Sequence, residues 1–239
     1  MTKNESAAEA EPAQVDPGVS RRERAVARSL YSARARAESR FQRFLDAALE
    51  LMNEGEPGRD FTVQEVVDRS GQSLRLFYQY FGGKHELLLA LFEESVRSAA
   101  DFLRDRIAGE KNALERLHNF VVEYCRLCRP DGGSTAQIPN AWMMVDFAQQ
   151  LLTSHPAEAA LAFEPLVSLF GEVFDDAAAA GAIRPEVRRS AIVGMVLEAI
   201  MFNAFSATIS GISVRAGDSD PAEELWDLIL HGVGVEDPA

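Results

Sequence analysis

The chain has 239 residues, of which 47% are hydrophobic, so it is long enough to bury a core in one domain or in two. Its longest apolar stretch, residues 190–212, contains Glu198 and Asn203, which favours a buried interface helix over a membrane span. The N-terminus lacks the apolar segment of a signal peptide, and the chain has only two cysteines. These features predict a cytoplasmic protein.

The charge of the chain is unevenly distributed. A net charge of -13 argues against a nucleic-acid partner if taken as one number, because phosphate contacts require Lys and Arg. Residues 21–43, however, carry eight arginines and two glutamates, whereas residues 111–239 carry eight basic and eighteen acidic residues. This asymmetry indicates one end that faces a polyanion, although an arginine run is also compatible with a merely solvated segment.

Helical patterns dominate the chain from residue 21 onwards. Residues 1–20 are rich in Ala, Glu and Pro and are predicted to be a disordered tail. After the tail, apolar residues recur at helical spacing without convincing strand alternation, so we expect an all-α fold. A first helix is predicted to end after Met52, and a second to follow Thr62, which can form a capping box with Glu65.

The third predicted helix is short, and long helices follow it. Ser73 is expected to cap its start, and Gly82 and Gly83 are expected to end it with a left-handed backbone. Six further helices are predicted from the apolar periodicity and the Gly and Pro breakers. They cover residues 84–108, 112–129, 141–153, 156–180, 186–210 and 221–230.

The turn SGQS, residues 70–73, joins the second and third helices in the manner of a helix-turn-helix, whose second helix enters the DNA major groove. At 100° per residue, one side of this helix, about a third of its circumference, carries Leu74, Phe77, Tyr78 and Phe81. The other side carries Arg75, Leu76, Gln79 and Tyr80. Arg suits guanine and Gln suits adenine, so this pattern is typical of a surface that contacts duplex DNA.

The segment FTVQEVVDRSGQSLRLFYQYFGGKHELL, residues 61–88, resembles the signature of the tetracycline-repressor (TetR) family of regulators. The resemblance covers about residues 41–92, and it rests on Thr62, Gly71, Ser73, Tyr78-x-x-Phe81, and Lys84 with Leu87. It implies an all-α homodimer. In that scheme residues 21–83 form a helix-turn-helix domain for a palindromic operator in double-stranded DNA, and residues 84–239 form a helical domain that dimerises and binds a small effector. Binding of the effector would release the DNA.

The resemblance also implies which residues contact DNA. The positions at which the family contacts phosphates are Thr62, Tyr78, Tyr80 and Lys84. The positions on the recognition helix and at its start are Ser73, Leu74, Arg75, Leu76 and Gln79. This sequence departs from the family pattern at Ser70, Gln72, Leu74 and Leu76, which leaves open whether Leu74 only completes the core and whether Leu76 touches a thymine methyl group.

Aromatic residues are frequent in the C-terminal half of the chain. Most of them are expected in the core between helices, but a subset is also suited to lining an apolar pocket for a large hydrophobic effector. The candidate ligand-binding residues are Phe120, Tyr124, Trp142, Met143, Phe147, Phe170, Phe174 and Phe202. The helices around residues 186–210 and 221–230 are too apolar to be freely exposed, so we expect them to form a dimer interface in which Gly194 and Ala199 permit close approach.

The sequence gives little support for a metal site, a redox pair or a catalytic site. Cys125 and Cys128 form a C-x-x-C without a second pair, and His118 does not complete a zinc site, so core thiols are favoured over a redox pair or a metal site. Nothing near Ser154 and His155 would hold a catalytic base in position or form an oxyanion hole. We therefore expect no metal, no cofactor and no enzymatic activity. The alternative hypothesis is an all-α binding protein or enzyme in which the helical hairpin is only structural.

Overall fold

The computed structural model describes residues 20–54, 60–128, 141–210 and 220–233, without the side chains of residues 141–146, 204–210 and 233. The tail predicted for residues 1–20 lies outside these ranges except for Ser20, and so do residues 130–140, between the predicted helices 112–129 and 141–153. All regular secondary structure in the described residues is helical, which confirms the predicted all-α class. Within these ranges, no helix has both the length and the apolar character that a bilayer crossing requires.

The helices follow the predicted order. They are α1 (Arg21–Glu54), α2 (Val63–Ser70), α3 (Leu74–Tyr80), α4 (Lys84–Ile107), α5 (Ala113–Cys128), α6 (Ala141–Ser154), α7 (Pro156–Ala179), α8 (Arg189–Ser210) and α9 (Pro221–Val233). From α4 to α9 each helix begins and ends within three residues of the predicted position. The arginine run proves to be helical, because α1 starts at Arg21.

The contacts of the chain divide it into two compact units, residues 1–43 and 44–239, and α1 runs through both. In the first unit, Ser20 and Glu23 cap the start of α1, since each side chain bonds the backbone N–H of the other residue. Further along, Arg34 pairs with Glu38 one helical turn later at 2.7 Å. All eight arginines of residues 21–43 are exposed, as is Tyr31.

In the second unit, the helices α4 to α9 form a bundle in which α5 occupies a central place. This helix packs against α4, α7, α8 and α9. Its buried face contains Leu117, Phe120 and Val121. Polar side chains at the edges of that face link α5 to its neighbours, through Arg106–Glu123 to α4 (3.4 Å), Arg116–Asp176 to α7 (2.6 Å), and His118–Glu223 to α9 (2.6 Å). The bundle is thus held by apolar burial, with polar pairs that orient its helices.

The helix α4 connects this bundle to the short helices that precede it. Its first turn follows α3 after three residues, and its body packs against α5, α6 and α7. Leu87, Leu91 and Leu103 are fully buried along its length.

Candidate nucleic-acid interface

The start of α2 has the predicted capping box. The Thr62 hydroxyl accepts a hydrogen bond from the backbone N–H of Glu65 at 3.2 Å, and the Glu65 carboxylate accepts one from the backbone N–H of Thr62 at 2.8 Å. The Thr62 hydroxyl also donates to the same carboxylate at 2.9 Å. These bonds satisfy donors that the first helical turn would leave unpaired, so a local sequence pattern determines where α2 begins.

The turn between α2 and α3 depends on a glycine in the left-handed region. Gly71 has φ 65° and ψ 23°, and its backbone N–H bonds to carbonyls in the last turn of α2. An added Cβ would meet no atom within 4 Å, so the demand for glycine comes from the backbone conformation itself. Ser73 then caps α3, because its hydroxyl accepts from the backbone N–H of Leu76 at 3.2 Å.

Three phenylalanines hold α3 in place. Phe77 packs edge-on against Phe44 of α1 with ring centroids 5.5 Å apart, and Phe81 lies 6.0 Å from the same ring. Phe44 and Phe77 are completely buried, and Phe81 is nearly so. Edge-to-face aromatic pairs add to the free energy of burial, so α3 is rigidly seated through one side.

The opposite side of α3 is accessible to a partner. Arg75 and Gln79 are exposed, as predicted, and so are Leu74 and Tyr78, which the helical angle groups with Phe77 and Phe81. Leu74 is 41% exposed and Tyr78 is 56% exposed. The helix has only seven residues, so the two buried phenylalanines suffice to anchor it, and its other side chains remain at the surface.

Two of the predicted outward residues are partly covered. Leu76 and Tyr80 are half-buried, and the Tyr80 ring lies 6.3 Å from that of Phe44. The angle of each residue around α3 therefore predicted correctly that the phenylalanines are buried and that Arg75 and Gln79 are exposed. It predicted burial less accurately for the residues that lie between these two sides.

The end of α3 differs from the prediction. Gly82 and Gly83 do not supply a left-handed cap, since α3 ends at Phe81 in extended conformation and Gly83 is also extended, with φ 168°. An added Cβ at Gly82 would lie 2.6 Å from the Glu86 carboxylate, the end of an exposed side chain that would have to move. The Gly82 backbone N–H donates to that carboxylate at 2.7 Å, so this short loop is fixed by α4 rather than by a helix cap.

Lys84, the first residue of α4, is held against the start of α2. Its ammonium group pairs with the Asp60 carboxylate and donates to the Phe61 carbonyl at 2.7 Å. The same group lies 4.3 Å from the centre of the Phe61 ring, a cation–π distance. Lys84 therefore has a structural role that the sequence did not reveal, since Asp60 is 24 residues away.

Arg69 is a second basic residue with a structural role. Its guanidinium group bonds to Glu54 at 2.7 Å and to Glu50 at 3.2 Å, both on α1. Hydrogen bonds to these carboxylates raise the pKa of Arg69 and lower the pKa of Glu54. The pairing ties α2 to α1, and sequence analysis missed it because the residues are not neighbours along one helix.

The candidate ligand-binding residues are mostly in the core. Phe120 and Phe170 stack face to face with centroids 4.8 Å apart, and Phe120 also stacks on Tyr124. Phe147 and Phe174 are buried as well. The side chains of Trp142 and Met143 lie outside the described residues, and Phe202 is exposed on α8.

A groove of about 530 Å³ runs between α6 and α8. Its lining residues are Gln149, Leu152, Met195, Glu198, Ala199, Met201 and Phe202. Phe202 is the one ligand-binding candidate whose described side chain lines this groove. The groove is mainly apolar, and Glu198 and Gln149 provide polar groups within it.

Comparison with known proteins assigns the helix-turn-helix region to a family. Residues 44–91 match the family described as bacterial regulatory proteins, tetR family. These residues contain the end of α1, all of α2 and α3, and the first turns of α4. No curated protein sequence matches the chain.

Solved structures share the fold of most of the chain. FadR from Bacillus halodurans, a fatty acid degradation regulator, is 16% identical over 80% of this chain and 98% of its own, with a TM-score of 0.60. FadR from Bacillus subtilis, solved in complex with stearoyl-CoA, is 15% identical over 80% of this chain and 96% of its own, with a TM-score of 0.58. A TetR family transcription regulator from Marinobacter aquaeolei VT8 is 20% identical over 84% of this chain and 98% of its own, with a TM-score of 0.56.

The family match and the geometry described above concern the same residues. The matched segment contains the capped helix α2, the left-handed turn at Gly71 and the exposed side of α3. The similar structures extend the shared fold into the C-terminal bundle. The helix-turn-helix segment of the chain, residues 44–91, is thus similar to that of the tetR family of bacterial regulatory proteins.

Proposed function

We propose that the chain is a homodimeric transcriptional repressor that binds a palindromic DNA operator and releases it when a hydrophobic small molecule binds. The observation that carries this proposal is the rigidly seated helix α3, which exposes Arg75 and Gln79 within a tetR-family helix-turn-helix. A helix of this kind reads base edges in the major groove. In this proposal, as in the sequence analysis, residues 21–83 form the domain that binds DNA. Residues 84–239 form the domain that dimerises and binds the ligand.

Exposure on α3 supports a division of roles among the DNA-contacting residues. Arg75 and Gln79 would hydrogen-bond to base edges, and the exposed Leu74 would contact a thymine methyl group. Thr62, Ser73 and Tyr78 are exposed residues at the helix starts and on α3, where they would meet phosphates. Leu76 and Tyr80, being half-buried, would contribute smaller contacts.

A row of exposed apolar side chains supports dimerisation. Met195, Ala199 and Phe202 recur along one side of α8, and Met195 and Phe202 are 62% and 68% exposed. Leu228 of α9 is exposed in the same way. Two such surfaces from two chains would bury each other as a four-helix bundle, with Ala199 small enough for the helices to approach closely.

The groove between α6 and α8 supports a binding site for the effector. Its volume of about 530 Å³ falls in the range of small-molecule sites, and its lining is mainly apolar. The similar FadR from Bacillus subtilis was solved with stearoyl-CoA. The groove shares Met195, Ala199 and Phe202 with the proposed seam, so a hydrophobic effector would bind at the subunit interface and would press on α6 and α8.

The helix α4 provides the mechanical link for release. It contacts α6 and α7 in the bundle and holds the start of α2 through Lys84. A ligand that favours one position of α6 therefore favours one position of the helix-turn-helix in each subunit. The two recognition helices of a dimer bind a palindrome only at matching spacing, so a shift of this spacing releases the DNA.

Selection of bound sequences from a random DNA pool tests the proposal directly. We expect enrichment of a palindrome and binding that weakens steeply with salt, because phosphate contacts release counterions. In gel-shift titrations on the selected site, Lys84→Ala should weaken binding to all sequences and lower the salt slope by about one unit.

The matched control is Asp60→Asn, which removes the main partner of Lys84 and keeps its charge. This variant should retain the full salt slope. Failure of the wild-type chain to enrich any sequence, or binding that does not respond to salt, would argue strongly against the proposed function.

A further inference from the structure

Three side chains that the proposed DNA and ligand sites do not use converge where α4 meets α7. They are His85 in the first turn of α4, His155 at the N-cap of α7, and Glu158 in the first turn of α7. His85 Nε2 lies 2.8 Å from Glu158 Oε2, and His155 Nδ1 lies 3.5 Å from Glu158 Oε1. The two imidazole rings are 4.6 Å apart between centroids. One ligand atom from each residue lies within 4.8 Å of the other two.

We propose that His85, His155 and Glu158 form a binding site for a divalent transition-metal ion, with Zn²⁺ as the best match, and that water completes the coordination. Two imidazole nitrogens and one carboxylate oxygen are a ligand set that Zn²⁺ accepts with an open fourth position. In a tetrahedral site with bonds of about 2.1 Å, ligand atoms are about 3.4 Å apart. The observed separations reach this value through small side-chain rotations.

A hydrogen-bonded cluster without metal is the simpler account of these residues, but their geometry favours a metal ion. The second carboxylate oxygen, Oε1, faces the imidazole of His155 while Oε2 faces that of His85, so both rings are directed at one carboxylate.

The site is accessible to an ion and to water. The side chains of His85, His155 and Glu158 are 41%, 44% and 40% exposed. Complete burial would exclude the water ligand, whereas full exposure would leave the rings free to rotate. Intermediate exposure is therefore compatible with an open coordination position.

The backbone around the site is well fixed. His155 donates its backbone N–H to the Leu151 carbonyl at 2.8 Å, and its own carbonyl accepts from Ala159 at 3.0 Å. Leu151 and Ala159 are buried, and Pro156 occupies the first position of α7, where its ring restricts the backbone. Because this backbone is already fixed, less conformational entropy is lost when a metal ion binds.

On the α4 side, His85 is held by packing. Its ring lies 5.7 Å from the ring of Phe147, which is buried beneath it. The imidazole therefore already points towards α7. A bound ion would link two helices whose ligands are 70 residues apart in sequence.

A regulatory consequence follows if the proposed function holds. His85 comes directly after Lys84, whose ammonium group holds the start of α2. An ion at the site would fix the first turn of α4 to α7 and thereby fix the helix-turn-helix relative to the ligand-binding helices. Zinc would then change operator affinity, and we expect a change of about fivefold or more, which is within the usual range of allosteric coupling.

The site itself is tested without DNA. Full-length protein freed of metal with a chelator is titrated with Zn²⁺ against a chromophoric competitor, and the titration is repeated with Co²⁺ to record its visible spectrum. We expect one ion per chain and, for Co²⁺, the intense visible bands of a four-coordinate site without thiolate charge-transfer absorption. Glu158→Gln and His155→Gln should each weaken affinity 10-fold to 100-fold or more, while far-ultraviolet circular dichroism stays unchanged.

Two control variants separate this site from other ligands on the chain. His231→Gln removes a histidine outside the cluster, and Cys128→Ser removes a thiol. Both should bind Zn²⁺ as the wild type does. Absence of stoichiometric binding, or binding that survives Glu158→Gln and is lost in Cys128→Ser, would overturn the proposed site.

Gel shifts on the selected operator, with and without Zn²⁺, test whether the metal site changes DNA affinity. The wild type should show the affinity change and Glu158→Gln should not. An unchanged affinity in the zinc-loaded wild type would overturn the coupling. Because the metal titration needs no operator, a failure of the proposed DNA function and a failure of the metal site give different results.

Discussion

The helix-turn-helix and the C-terminal bundle present opposite kinds of surface. In the helix-turn-helix, the buried side of α3 is aromatic and its exposed side carries Arg75 and Gln79. In the bundle, α8 is buried through Val193, Leu197 and Ile200, yet its other side exposes Met195 and Phe202. A polar exposed side suits a hydrated polyanion, and an apolar exposed side suits a second copy of the same surface. The difference shows that the partner of each region is best inferred from the polarity of the side chains that its helices leave exposed.

The largest expected effect concerns the aromatic core beneath α3. Phe77→Ala removes a completely buried ring that contacts Phe44 and Phe81, so we expect a loss of about 3 to 5 kcal/mol in the free energy of unfolding of this region. Urea denaturation and gel shifts measure the two consequences. The control is Tyr78→Ala at the exposed neighbouring position, which should change stability by less than about 1 kcal/mol. Equal destabilisation by both variants would contradict the seating of α3 through one side.

The next effect concerns the apolar side of α8. Phe202→Asp places a charge in the proposed seam between subunits, where it would be desolvated, so the dimer should dissociate at micromolar concentration. Light scattering should then give the mass of a single chain, 26.3 kDa. Leu161→Asp is the matched control, since Leu161 is an exposed leucine on α7, outside the seam, and this variant should remain dimeric. A dimer that tolerates Phe202→Asp would show that this side of α8 is not the interface.

A smaller effect is expected on the polar side of α3. Arg75→Ala should cost about 1 to 3 kcal/mol in binding and relax the preference at particular base pairs, while leaving stability unchanged. Quantitative gel shifts on the selected operator and its point variants measure this loss. Gln79→Ala provides the comparison, with its loss at a different base pair. A uniform loss across all sequences would instead assign Arg75 to phosphate contacts.

The smallest effect on the protein concerns a thiol within the bundle. Burial raises the pKa of Cys128 to about 12, so the thiolate is scarce in the folded protein at pH 8. In a Cys125→Ser background, iodoacetamide should therefore react with folded protein on the order of 100-fold more slowly than with protein unfolded in urea. Mass spectrometry over time measures both rates. Rapid reaction of the folded protein would indicate a reactive thiol and revive the redox alternative.

Local features of the sequence were predicted well because short-range physics determines them. The capping box of Thr62 and Glu65, the Ser73 cap and the end of α2 at Gly71 each involve residues within a few positions of one another. Apolar periodicity likewise predicted the helices from α4 to α9 within three residues. These features need no knowledge of what packs against the helix.

Predictions that depended on packing were less accurate. Leu74 and Tyr78 proved exposed because the core around Phe44, on another helix, accepts Phe77 of α3 and the following Phe81. The loop after α3 is fixed by the Glu86 carboxylate and not by a left-handed glycine. The structural role of Lys84 was also missed, because its partners at Asp60 and Phe61 precede it by more than twenty residues.

The sequence by itself determined the all-α class, the helix-turn-helix and the exposed Arg75 and Gln79, because caps, breakers and apolar periodicity act over a few residues. Only the tertiary structure decided which side chains from distant helices meet. His85 and His155 are 70 residues apart and show no metal-binding spacing in the sequence, yet the packing of α4 on α7 brings both imidazoles to Glu158. Long-range packing thus brings together a candidate metal site that no pattern in the sequence predicts.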